Sequence, residues 1–328
     1  MADQQNQLEV LLDKLDDAAW ATLILDLQPA IHSVDQKATR IWFAFYPIKL
    51  HRALNKSADP DAIAKSLILK GKYRLADQVD SSAEFLYGHR YWPQVKAAVA
   101  NQANTVSGAP LEAQIRDVAR KVAGDVKADV SLLVGITAVA FCTLQQVGLA
   151  AFKQPAVSGR YGAQWKQSAD QVVADRAKDD SQGVFGFLRS INKNFTVNYR
   201  EYEPGCSFKL ISGQDVTMAG RQYDRDYHAE DARCMPGEGP IPVECRAASC
   251  GTCWVGVLSD GHKLSPPNQR EIDRWRYFGY EGFTGDADSP IRLACQMKAL
   301  GNVSLVVSPW SGMIGKLDEK EKASTAGA

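Results

Sequence analysis

Four cysteines constrain this chain more than any other feature. Cys245, Cys250 and Cys253 stand in one short stretch, Cys245-Arg-Ala-Ala-Ser-Cys250-Gly-Thr-Cys253, and Cys295 follows after 41 further residues. The pattern is C-x4-C-x2-C with one distant cysteine, the ligand spacing of a [2Fe–2S] cluster. Two iron ions bridged by two sulfides need four soft thiolates to complete two tetrahedra. A tight loop can wrap three sulfurs around one side, and the fourth must arrive from a separate element packed against that loop. Ala247, Ala248, Ser249 and Gly251 are small, so the backbone can approach closely and aim its N–H groups at the sulfurs. Such donors stabilise negative charge and tune a reduction potential. The alternative is structural zinc, which a C-x2-C pair alone would favour. Structural zinc sites present two close pairs, whereas here three cysteines cluster and one stands apart.

The flanking residues narrow the class. The stretch from Ile241 through Cys253 resembles the cluster loop of the plant-type ferredoxin family. Leu264-Ser-Pro-Pro-Asn-Gln-Arg-Glu-Ile272 is similar to the helix start after that loop, and Arg292-Leu-Ala-Cys295-Gln is similar to the segment with the family's fourth ligand. The resemblance covers about the last 130 residues. It implies a β-grasp, a small mixed sheet crossed by a helix. It also implies that Cys245 and Cys250 hold the more exposed iron of a [2Fe–2S] cluster and that Cys253 and Cys295 hold the other. Ser249, Gly251 and Thr252 would tune the cluster.

At 328 residues the chain has room for two domains, and 38 basic residues balance 38 acidic ones, so no global field suggests a nucleic-acid partner. Seven cysteines, four of them assigned to a cluster, fit a reducing compartment. No basic n-region and cleavage site precede an apolar run at the N-terminus. The expected location is the cytoplasm or the cytoplasmic side of a membrane.

The N-terminal half is patterned for helices. Leu8, Leu11, Leu12, Leu15 and Ala19 recur at three- and four-residue spacing, predicting a helix over 1–28. Ile41 to Tyr46 is densely aromatic and Pro47 breaks it. Asp59-Pro60 opens a helix that Gly71 would stop. An amphipathic helix is expected over 111–127. Between Asp129 and Lys153 no charged residue occurs, a length sufficient to cross a bilayer. Three readings stand for 130–152: the buried centre of an all-α domain, a membrane-associated segment, or a partner-binding helix. Gln145 and Gln146 would be costly against lipid, whereas other helices could accept their hydrogen bonds.

Residues 156–190 read as a linker, with a short helix from about 163 to 178. From Asn194 the period shifts toward two. Strands are expected at 195–201, 207–211, 254–258 and 303–307, and a helix over 266–275 capped by Ser265. The gap before Cys295 carries an aromatic, glycine-rich insert over 275–290, read as a partner surface, a lid, or packing against the helical domain. Cys142 reads as an inert core thiol, and Cys206 and Cys234 read as core thiols, with a disulfide or, for Cys234, a substitute cluster ligand as the alternatives. The five histidines show no paired metal spacing, and neither a G-x-G-x-x-G turn nor a phosphate-binding G-x-x-x-x-G-K-[ST] loop is present.

The resulting expectation is an α+β chain: a helical domain over 1–155, a linker over 156–190, a ferredoxin-like β-grasp domain over 191–317 and a disordered tail over 318–328. With no flavin or nicotinamide signature, the expected role is a one-electron carrier rather than an enzyme, docked through its helical domain to redox partner proteins. Two alternatives accompany it, an iron–sulfur subunit with an active site in the helical part and a redox-sensing adaptor.

Overall fold

The computed structural model describes residues 7–103, 108–155, 165–180, 193–222, 225–280 and 288–319. Of the expected linker over 156–190 only 165–180 is described, and most of the expected tail over 318–328 and positions 281–287 of the insert lie outside these residues. Residue contacts divide the chain into two units, Met1–His51 with Arg74–Asp170, and Arg52–Tyr73 with Gln171–Ala328.

The first unit is helical. The expected helix over 1–28 is two helices, α1 (Gln7–Asp13) and α2 (Asp17–Leu27). The break falls at Asp16, whose carboxylate accepts from Ala19 N at 2.8 Å and starts α2 as an N-cap. α3 (Ser33–Phe45) ends before Pro47, and α4 (Ile48–Lys56) begins just after it. Both oxygens of Asp17 receive the first amides of α4, Ile48 N at 2.6 Å and Lys49 N at 2.8 Å. α5 (Pro60–Ser66) is capped by Asp59, as the Asp-Pro pair predicts. α5 and the short strand β1 (Lys70–Gly71) after it belong to the second unit, and in the first unit α6 (Trp92–Gln102) and α7 (Leu111–Val126) lead to α8 (Ser131–Phe152).

α8 is the uncharged stretch. Among the described residues it is the helix long and apolar enough to cross a bilayer, and 72% of its apolar window is buried inside the protein. It packs against α1, α3, α6 and α7. Both glutamines face neighbouring helices. Gln145 accepts from Trp20 Nε1 at 2.6 Å and donates to Leu15 O at 2.9 Å, while Gln146 donates to Tyr46 O at 2.8 Å. Gly135 lets α3 approach, since a Cβ there would lie 2.5 Å from Thr39 Oγ1. At Gly148 the backbone leaves the helical region (φ 74°, ψ 159°), and Glu9 accepts the amide of Leu149 at 2.8 Å.

The second unit is built on a five-stranded sheet. Its strands are β2 (Asn194–Asn198), β3 (Ser207–Ile211), β4 (Trp254–Val257), β5 (Ile291–Leu293) and β6 (Val303–Val307). The spatial order is β3-β2-β6-β4-β5. β2 and β3 form an antiparallel hairpin, β2 runs parallel to β6, and β4 is antiparallel to both β6 and β5. β4 lies between two neighbours and all four of its residues are buried, which suits the run Trp-Val-Gly-Val. α9 (Ala169–Ala177) leads into this unit, and the short helices α10 (Val216–Gly220) and α11 (Tyr227–Glu230) lie between β3 and β4.

Two features depart from expectation. The helix after β4 is α12 (Gln269–Phe278), capped by Asn268 rather than Ser265. Ser265 is held extended by its neighbours, because Leu264 bridges Ala299 and Ser265 N donates to Lys298 O at 2.9 Å. In addition, residues 52–73, within the expected helical domain, group with the sheet unit. There β1 pairs with β7 (Trp310–Ser311), and Met313 N donates to Leu67 O at 2.8 Å. A Cβ at Gly71 would lie 2.6 Å from Pro309 O, and its φ of +91° suits glycine in this strand rather than a helix stop.

Candidate metal centre

Strand geometry brings the distant cysteine to the loop. β4 and β5 are antiparallel, with Trp254 opposite Leu293. The residue before β4 and the turn after β5 therefore share one end of the sheet, and these carry Cys253 and Cys295. Ala294 N donates to Cys253 O at 2.9 Å and ties the two crossings together.

The loop 245–253 is bent by three residues in the left-handed region, Arg246 (φ 51°), Ala248 (φ 57°) and Gly251 (φ 68°). Only the last is glycine, so the other two hold a conformation that side chains disfavour. The bends turn amides inward, and Cys245 Sγ lies 3.3 Å from Ser249 N and 3.4 Å from Ala247 N. Gly251 is also a close-approach site, where a Cβ would lie 2.4 Å from Phe278 Cε1. The insert's first aromatics thus belong to this wall. Trp254 meets Phe278 edge-on at 5.4 Å and Tyr280 at 4.6 Å between ring centroids. Outside the wall, Arg246 pairs with Glu238 and donates to Thr217 Oγ1 at 2.9 Å. Thr252 donates to Glu244 at 3.2 Å, and Ser311 donates to Thr252 O at 3.0 Å.

The predicted cysteines interact as two pairs, Cys245 with Cys250 and Cys253 with Cys295. Burial raises the Cys245 thiol, but hydrogen bonds from Ser249, Ala247 and Cys250 outweigh it and bring it down to about 6. Burial dominates at Cys250 and pushes it up. Cys253 is raised well above the usual thiol range because it donates to Cys295 and is fully buried. Cys295, the acceptor in that contact, falls to about 7, helped against its own burial by Gln296 and the Ala248 amide. The pairs touch electrostatically as well, Cys250 acting on Cys253 and Cys245 on Cys295. Among the described residues, no three His, Cys, Asp or Glu side chains converge as a group that could hold a metal ion.

The remaining thiols are free and buried. Cys142 lies in α8 with its thiol pushed up by burial. Cys206 is buried in the sheet unit. Cys234 is raised to about 12 by burial, beside Asp231 and Arg233. Residues that spacing alone did not single out are Phe278, Gln296, Asn268 and Glu271. Their signal lay only in segments near the motif, and none is a ligand type in a recognisable pattern.

Comparison with known proteins adds one partial likeness. The chain is 37% identical over 57 residues to a protein named ferredoxin from Bacillus thermotolerans, a match that covers 17% of this chain. The chain spans 40% of the length of that relative. No family model matches, and no solved structure does. A segment of this chain is therefore similar to a segment of a ferredoxin.

Proposed function

We propose that this protein is a one-electron carrier that holds a [2Fe–2S] cluster on Cys245, Cys250, Cys253 and Cys295. The observation that carries the reading is the C-x4-C-x2-C spacing with one distant cysteine, supported by contacts that pair Cys245 with Cys250 and Cys253 with Cys295. Two thiolates for each of two metal ions is the donor set of such a cluster, whereas one structural zinc would want all four around a single point. Two further observations support it. Inward-turned amides already meet the Cys245 sulfur. The strand order β3-β2-β6-β4-β5, with its one parallel pairing at the centre, is that expected of a β-grasp. When bound, the cluster supplies an orbital system that takes up one electron with little rearrangement.

The chain's own residues hold, insulate and aim that group. Cys253 and Cys295 are buried, and Cys245 and Cys250 are partly exposed, so the latter pair marks the side open to a partner. Trp254, Phe278 and Tyr280 pack their buried rings together beside Gly251 and Cys253. All seven cysteines are free, which supports a reducing, cytoplasmic setting. In this reading the helical unit locates the carrier on a redox partner protein.

The test is an absorption and EPR spectrum of protein purified without oxygen, before and after dithionite, with iron and sulfide assayed. Visible bands that bleach and a reduced-state EPR signal are expected, and Cys250→Ser should lose most of its iron. Colourless protein that carries zinc, or full iron content in Cys250→Ser, would overturn the assignment.

A further inference from the structure

Gln296 follows Cys295 on the turn leaving β5, and its side chain folds back over the cysteine. Gln296 Nε2 lies 3.1 Å from Cys295 Sγ and 3.1 Å from Cys295 O, with Arg246 O at 3.4 Å. Its other end is held. Gln296 Oε1 accepts from Asn268 Nδ2 at 3.0 Å.

Asn268 determines which way both amides face. It is the N-cap of α12, and its Oδ1 accepts Glu271 N at 2.9 Å. A cap must present oxygen to a helix amide, so the nitrogen end of Asn268 is the one left for Gln296. Gln296 then offers oxygen to Asn268 and nitrogen to the sulfur. The orientation of an amide that touches Cys295 is thus fixed by a helix start outside the cysteine loop. Both residues lie partly or wholly at the surface, so the relay needs this partner-by-partner constraint rather than burial.

We infer that Gln296 is a tuning residue, oriented by Asn268, whose N–H donated to the Cys295 sulfur raises the reduction potential of the cluster. The inference rests on the carrier reading above. Reduction adds one negative charge, which spreads onto the ligand sulfurs. A donor aimed at one of them is bound more strongly after reduction than before, so the reduced form gains more.

The experiment is an EPR-monitored redox titration of iron-loaded full-length protein, with dithionite as the reductant. Gln296→Leu should load iron normally and shift the reduction equilibrium about tenfold toward the oxidised form, which is about 59 mV for one electron. Asn268→Asp leaves Gln296 in place and keeps the helix cap, but presents oxygen where nitrogen stood. The Gln296 amide should turn over and withdraw its N–H from sulfur, lowering the potential by a similar factor. The added Asp charge also acts through space, but that part is screened at high salt, whereas the turned amide is not. A loaded Gln296→Leu with the parent potential overturns the inference while leaving the carrier reading intact. If that variant fails to load, Asn268→Asp decides alone, and a potential that returns to the parent value at high salt overturns it. Parent protein without a cluster overturns the carrier reading and this inference with it.

Discussion

Gly251 shows how much of the candidate centre depends on single positions. It sits at φ +68°, and the space a Cβ would need is filled by the Phe278 ring, 2.4 Å away. Gly251→Ala combines a left-handed alanine with a clash against a buried aromatic. A loss of about 2–4 kcal/mol is expected, the sum of a strained φ and overpacking. A lower urea midpoint and a lower iron content per chain would be measured together. A midpoint equal to that of the parent would show that the loop does not need this close approach. The glycine was visible in the cysteine motif, and its small size was read there as access for backbone donors. Its partner was not visible, because Phe278 is 27 residues downstream and only the packing of α12 brings it back. Arg246 and Ala248 were equally hidden, since nothing in their side chains announces a left-handed backbone.

At the scale of elements, α12 is locked to β5 by a fully buried ion pair. Arg292 Nε lies 2.8 Å from Glu271 Oε1, Arg292 Nη2 lies 3.0 Å from Glu271 Oε2, and Leu293 N donates to Oε1 at 2.7 Å. Both side chains have 0% exposure. Glu271→Ala would leave an unpaired guanidinium in the core, at a cost of about 3–5 kcal/mol. Urea unfolding of the sheet unit should report that loss, and because β5 positions Cys295, iron loading should fall with it. A stable, fully loaded Glu271→Ala would show that the pair is dispensable. The Arg-Leu-Ala-Cys-Gln stretch was recognisable in sequence, yet the role of its arginine was not, since the partner glutamate lies on a helix whose start the local signals misplaced. Ser265 and Pro266 form a plausible helix opening, and the β-bridge at Leu264 overrides them. α8 shows the converse. Its length and lack of charge suited either a bilayer or a core, and its glutamines, bonded to α1, α2 and α3 or the residues that follow them, place it among helices.

For the whole molecule, stability should depend on pH through the helical unit. His89 is buried against Trp92, with Nε2 donating to Asp80 O at 2.9 Å, and burial lowers its pKa from 6.5 to about 4, against the influence of Asp80. The folded state therefore keeps His89 neutral at a pH where the unfolded chain is protonated. Between about pH 6.5 and 4 the unfolded state binds more protons, so stability is complete above 6.5, is lost as pH falls, and levels off below 4. The full shift corresponds to about 3 kcal/mol as an upper bound. Urea unfolding at pH 7 and pH 4.5 should show a larger difference for the parent than for His89→Gln, which cannot titrate. Equal differences in the two proteins would assign the acid sensitivity elsewhere.

The residue pattern alone determined that this chain has a helical N-terminal half, a shift to strand periodicity near residue 194, and four cysteines spaced C-x4-C-x2-C with one distant. These are local properties, written in hydrophobic period and in ligand spacing. Tertiary structure alone decided that residues 52–73 join the sheet unit, that α8 is buried among helices, and that Asn268 orients the amide on Cys295. Each of these depends on which surfaces meet at long sequence separation. Such meetings are decided by burial and by satisfaction of polar groups, neither of which any short window of sequence contains.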